Sequence, residues 1–239
     1  MQRDSRRERE LARLAEAERR TQERMAAQRE RIAKRFAQMR IRLEGKYGEP
    51  NDSQQRIIEA ALALLKKEGL NNLSLRKLGG AVGMQAPAIY WHFKSKDELV
   101  DYMAEAILQQ EFGELTLRPQ DQPWPDWLGD VMRRLREAML RYPDGARVVA
   151  GAHLYPAVTL GKLFECVIAS LCSAGLDLAT ARHILMTAST YTFGFVIEEQ
   201  ASPAPGEADM LDLEASASPF PYVVQAMQEA YHGERTLGR

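Results

Sequence analysis

Apolar residues recur along this chain at steps of three and four, the spacing that lines one face of a helix. Ile57, Ile58, Ala61, Leu62 and Leu65 form such a stripe over residues 53–68, with Asn51-Asp52-Ser53 as N-cap side chains and Gly69 where a helix would end. Ser74 can cap a short helix over 75–81, Gly83 interrupts, and a second short helix over about 86–92 tolerates Pro87 in its first turn. Two short helices joined at a glycine predict a helix-turn-helix. Ser95 with Glu98 is a capping box, and it opens a longer helix to about residue 112 carrying Leu99, Met103, Ile107 and Leu108.

Pro119, Pro123 and Pro125 mark a linker, after which Trp127, Val131, Leu135, Ala138 and Met139 stripe a helix at about 125–142. Further helices are expected at 144–151, 156–174 and 177–200, and a short last one at 221–232. Residues 201–219, with several Pro, Ser and acidic side chains, read as a mobile acidic loop. Residues 1–44 contain neither Pro nor Gly and read as one long charged helix. Its second half carries Ile32, Phe36, Met39 and Leu43 on one face and can dock. No segment has strand periodicity, so the expected class is all-α. The expected division is an extension over 1–50, a helix-turn-helix domain over 51–97 and a helical body over 98–239.

Charge changes this picture more than composition does. The chain has 239 residues and a net charge of −1, but residues 1–44 hold 14 basic and 8 acidic side chains, so a basic start adjoins an acidic remainder. No stretch approaches the ~18–20 apolar residues of a membrane span, and the charged start does not read as a signal peptide, so a cytoplasmic protein with no membrane partner is expected. Cys166 and Cys172 have no second pair for zinc and read as small buried residues.

A helix-turn-helix offers the first turn of its second helix to the major groove while flanking residues hold phosphates. Arg76, Lys77, Gln85, Lys94 and Lys96 stand around that surface, in a segment 51–97 with 7 basic and 4 acidic residues. Gln85 can pair with adenine, Ala86 or Ala88 can touch a thymine methyl, and Tyr90, His92 and Lys96 can donate to phosphate oxygens. Each has a plainer alternative. Ile89 and Trp91 can pack on the preceding helix instead of touching DNA, His92 can be an ordinary surface residue, and Lys94 and Lys96 can be solvated charges.

Leu73-Ser74-Leu75-Arg76-Lys77-Leu78 followed by Pro87-Ala88-Ile89-Tyr90-Trp91-His92-Phe93-Lys94-Ser95-Lys96 resembles the DNA-binding domain of the TetR family of repressors. Arg141-Tyr142, Asp144-Gly145-Ala146-Arg147-Val148 and Gly194-Phe195-Val196-Ile197-Glu198-Glu199-Gln200 resemble the body of its tetracycline-repressor subgroup. The resemblance implies a homodimer that reads a palindromic double-stranded operator and is released by a small-molecule inducer. It implies base contacts from Arg76 and the turn Gln85, Ala86, Pro87 and Ala88, and phosphate contacts from Tyr90 and Lys96. Ser74, Lys77, His92 and Lys94 complete the DNA-facing set, and Trp91 would be structural. Leu75 stands where the subgroup has a phosphate-binding Thr, and Ala86 where it has a base-reading Gln.

In the body, the resemblance places Phe112, Leu135, Val149 and His153 around the inducer, with Tyr191 and Phe193 as neighbours and Glu198 at the position of an acidic partner of the metal. The subgroup's magnesium-binding His becomes Val149 and a nearby metal-binding Thr becomes Ala152, so no metal, no cofactor and no ordinary tetracycline response are expected. An aromatic or lipophilic inducer suits those residues, although they could equally be core. The resemblance also implies a further apolar helix completing a dimer interface, where this chain reads Gly233 to Arg239. The Ile32–Leu43 face is a candidate cover for that interface. For residues 1–44 three roles stand open: an arm on DNA, a docking helix and a charged tail. The rival to a regulator is a helical enzyme or interaction module using the body pocket. His92, His153, His183 and His232 make no metal-site spacing, however, and no nucleophile elbow occurs, so no enzyme is expected.

Overall fold

The computed structural model describes residues 2–46 and 50–201 and, near the end, 220, 222–226 and 229. Among the described residues all regular structure is helical: α1 (Gln2–Lys46), α2 (Asp52–Glu68), α3 (Leu75–Val82), α4 (Ala86–Ile89), α5 (Lys96–Phe112), α6 (Trp124–Leu140), α7 (Gly145–Ala150), α8 (Val158–Ser173) and α9 (Leu178–Ala201). Residues 222–226 are helical within the expected last helix, and the expected acidic loop beyond residue 201 lies outside the described residues. The chain forms two compact units, Met1–Ile197 and Glu198–Arg239.

Local chemistry sets these ends. Asn51 accepts from the Gln54 N–H at 2.9 Å while the Gln54 side chain accepts from the Asn51 N–H at 3.1 Å, a reciprocal cap that starts α2. Ser74 and Ser95 cap α3 and α5 by accepting from Lys77 N–H and Glu98 N–H. Gly83 closes α3 with φ of 72°, a left-handed turn that a side chain resists. The second short helix stops at Ile89, three residues sooner than its sequence predicts. Over Tyr90–His92 each N–H bonds three residues back, to Pro87, Ala88 and Ile89 carbonyls at 2.9–3.2 Å, and the chain tightens out of the α-helix.

In the first unit the core is continuous from α2 to α9. Helix α5 is its axis: it packs on α2 near its start and on α6, α7 and α8 further along. Leu99, Met103, Ile107 and Leu108 are fully buried along it. Helix α1 runs along α8, with Phe36 only 7% exposed and Met39 packed beside it. Met25, Arg29 and Ile32 on the same face are partly covered. The docking face read from the sequence therefore docks, and its partner is α8.

Cys166 is buried, its thiol donating to the Thr116 carbonyl, and burial pushes that thiol up to about 12. At pH 8 the thiolate is then scarce, so iodoacetamide should label Cys166 in the folded chain roughly 100-fold or more slowly than in denaturant. Peptide mapping of the alkylated protein checks this, and equal rates in both states would contradict it.

Candidate nucleic-acid interface and body site

The reading surface is built on a small buried base. Leu78 of α3, Ile89 of α4 and Phe93 after it are all buried with Ile58, Ala61 and Leu65 of α2 in one core. The ring of Phe93 meets Tyr102 of α5 edge-on at 5.4 Å between centroids. Gly79 lets α3 and α4 approach: a Cβ there would stand 2.6 Å from the Met84 carbonyl oxygen. Gln54 of α2 donates to the His92 carbonyl at 3.1 Å and ties down the segment after α4.

What this base turns outward is chemically mixed. Arg76, Gln85, Pro87, Tyr90, Lys94 and Lys96 are exposed, Ala86 and Ala88 half-buried beside them, and His92 half-buried. Ser74 has its hydroxyl oxygen engaged as the α3 cap. Lys77 is bonded to Glu68 of α2, and its ammonium holds the Glu68 carboxyl below the usual carboxylate range. The Lys94 N–H donates to the Glu98 carboxylate. Arg76 and Lys96 therefore remain the cations best placed for a phosphate or a base edge. Trp91, expected to be structural, is 89% exposed. Leaving the α-helix after Ile89 turns its indole into solvent, so its place is on the reading surface.

Two bridges join this surface to the rest of the unit. Asp144, with φ of 58°, accepts from the Leu70 N–H at 2.9 Å, and Arg147 of α7 donates to Asn71 at 3.3 Å, so the loop between α2 and α3 rests on the start of α7. On α5, Asp101 is 5% exposed and accepts from His153 through its backbone N–H at 2.9 Å, with the imidazole Nδ1 3.1 Å away. Nothing in the sequence periodicity announces either bridge, since each partner lies more than fifty residues off. Further along α5, Glu105 accepts from the N–H and hydroxyl of Thr159, both at 2.7 Å, and burial pushes its carboxyl up. Glu111 accepts from Arg134 and Arg141, and those guanidinium groups, Arg134 foremost, hold its carboxyl down.

The residues assigned to an inducer do not share one environment. Phe112, Leu135 and Val149 are fully buried in the core, and Phe193 is partly buried against it. The Arg134 guanidinium lies 4.9 Å over the Phe112 ring. His153 is exposed on the α7–α8 loop, and Tyr191 is 70% exposed on α9, stacked on Phe195. Glu198 is exposed and belongs to the second compact unit. A surface cleft lies elsewhere, between Pro119, Gln122, Trp127, Val131 and Glu137. Among the described residues no three His, Cys, Asp or Glu side chains group as metal ligands, and no helix is long and apolar enough to cross a membrane.

A tight two-helix reader on a buried three-helix base, carried by a larger helical body, defines a helix-turn-helix DNA-binding regulator. Residues 57–103 match the family of bacterial regulatory proteins called tetR, and residues 118–235 match the tetracyclin repressor-like C-terminal domain. The tetracycline repressor protein class C of Escherichia coli is 38% identical over 182 residues, 75% of this chain and 82% of that one. Among solved structures, a possible TetR family transcriptional regulator from Streptomyces coelicolor A3(2) has a TM-score of 0.63 at 31% identity, covering 73% of this chain and 87% of that one. A TetR variant from Acinetobacter baumannii AYE in complex with minocycline has a TM-score of 0.57 at 32% identity, covering 75% and 92%. The chain belongs to the tetR family. It is a DNA-binding transcriptional regulator and not an enzyme.

Proposed function

We propose that this regulator is a cytoplasmic homodimeric repressor, released from a palindromic operator by a small lipophilic or aromatic ligand. Residues 51–97 grip the operator, 98–239 receive the ligand and the second copy, and 1–50 are an extension. The observation that carries the reading is the exposed face of Arg76, Gln85, Tyr90, Trp91 and Lys96 on a rigid buried base. Bases are read by Arg76 and the Gln85–Ala88 turn, and phosphates by Tyr90 and Lys96. The minocycline complex of the Acinetobacter relative supports control by a small molecule. Phe112, Leu135, Val149 and Phe193 supply apolar wall for it. Val149 and Ala152 offer no side-chain donor to a hard cation, so the ligand is not a magnesium chelate. Leu178, Met186, Tyr191 and Phe195 of α9 leave a large apolar surface exposed, which supports a second copy as partner.

The test is selection of genomic fragments by the purified full chain, followed by competition of the recovered site against random duplex at fixed salt. A palindromic site with a clear specificity ratio is expected, and folded protein with no enriched site would refute the reading. Replacing Tyr90 and Lys96 together with alanine should weaken binding to every duplex about 10-fold or more and flatten the salt dependence. An unchanged salt slope would remove both from the phosphates. Because Trp91 is exposed on the reading face, operator should quench intrinsic fluorescence in a saturable way, and the signal should vanish in Trp91→Phe. A quench that persists in that variant would place the reporter elsewhere.

A further inference from the structure

Helix α1 is absorbed by none of these roles, and its hold on the body is specific. Arg29 donates through Nε to the Ser173 carbonyl at 3.1 Å and through a terminal nitrogen to the Gln120 side chain at 3.1 Å. Gln28 reaches the Cys172 carbonyl at 3.5 Å. Cys172 and Ser173 close α8, where carbonyls lack helical donors and a cation suits the helix dipole. Met25 reaches the corner at Gly175, and Phe36 enters the core. Helix α1 thus caps the end of α8 and lies along it.

The direction of α8 determines where each end of α1 lies. The start of α8, at Thr159, meets Glu105 and Gln109 of α5. Cys166 then meets Thr116, and Ser170 meets Arg118. It therefore follows the chain away from Lys96, where α5 leaves the DNA-reading helices. Helix α1 engages α8 at that far end, runs back along it, and stops at Lys46, a few residues before α2 begins at Asp52. The arginine-rich start of α1 consequently leaves the body on the side away from α4. There Arg19 pairs with Glu16 and Glu23, and Arg20 with Glu16, so these charges are matched within the helix.

From this geometry we propose that α1 is a strut between the body and the DNA-reading helices, not an arm on DNA. The proposal rests on the reading of α2–α4 as the operator grip. Helix α5 holds that grip at its C-terminal end. The strut holds it at its N-terminal end, through α8. Fixing both ends limits the orientations α2–α4 sample before binding, which lowers the ordering cost of docking on an operator. The partner of the docking face is α8 of the same chain.

The decisive experiment inserts a flexible Gly-Ser segment, about six residues long, between Gly48 and Glu49 of the full chain, leaving both helices and their contacts intact. Operator affinity is measured on the duplex recovered by selection, with salt dependence and thermal melting alongside. The expected result is an affinity lower by roughly 5–20-fold, with an unchanged salt slope and melting temperature, because no contact is lost and only orientation is freed. A second variant, Arg29→Ala with Phe36→Asp, undocks α1 and should give a similar loss of affinity. Affinity within twofold of the parent after insertion would overturn the strut. So would a comparable loss on changing Arg6, Arg7, Arg9 and Arg13 to alanine with a flatter salt slope, the result an arm on DNA would give. If the parent itself shows no preference for any duplex, the operator reading fails before the strut is reached.

Discussion

Gly79→Val is expected to abolish selective operator binding while leaving the body folded. A Cβ at this position would stand 2.6 Å from the Met84 carbonyl oxygen and 3.3 Å from the Ala86 nitrogen. Both are backbone atoms of the turn into α4, and neither can swing aside as a side-chain tip would. The turn must move, and α4 moves with it, although hydrogen bonds to base edges tolerate only tenths of an ångström. Each lost bidentate base contact costs about 1–3 kcal/mol, so displacing the whole turn should lower affinity for the operator by about 100-fold or more toward the level of random duplex. Gly80 is the control: a Cβ there meets nothing within 4 Å, and Gly80→Ala should retain selectivity and gain roughly 0.5–1 kcal/mol of helix stability. Competition binding and thermal melting of both variants check this. Selective binding by Gly79→Val would show that the turn is more pliable than its packing implies.

Asp144→Ala should be the most costly change at the junction between the reading helices and α7. Alanine loses the carboxylate that accepts from the Leu70 N–H, releases Arg147, and leaves a residue without a local hydrogen bond at φ of 58°. A half-buried N–H left unsatisfied costs about 1–3 kcal/mol, and the left-handed backbone about 1–2 kcal/mol more. Together these should lower the melting temperature by roughly 5–12 °C. Asp144→Asn keeps an acceptor and a residue that tolerates the turn, so it should recover most of the loss. Hydrogen exchange at Leu70 should accelerate in the alanine variant and much less in the asparagine one. An alanine variant that melts with the parent would mean the bridge carries no stability.

These two residues show how much of the molecule was legible in its sequence. Helix starts were, because Asn51, Ser74 and Ser95 act through atoms three residues away, within reach of any local reading. The DNA-facing set was legible for the same reason: its members lie within one short segment. Gly79 passed unnoticed because its role depends on how closely α4 crosses α3, and Asp144 because its acceptor serves a loop seventy-four residues earlier. Trp91 was misplaced because a full α-helix to residue 92 was expected, and the tightening after Ile89 redirects its side chain. The apolar stripe of α1 was plain, but a stripe specifies that a face is covered, not what covers it. The body positions around Phe112 read as pocket or core alike, since apolar walls and apolar filling use the same residues.

The continuity of α1 joins two stretches held by very different means. Around Phe36 the helix is secured by the core, and opening it exposes buried apolar surface. Around Arg13–Glu23 it has only its own hydrogen bonds and exposed ion pairs, and an unsupported helix of that length is marginal in water. One unbroken element therefore spans a gradient of local opening free energy, from a rigid root to an end that frays and re-forms rapidly. Amide protection should decline steadily from Phe36 toward Arg13, and the level at which it is lost marks where the body's grip on the helix gives out.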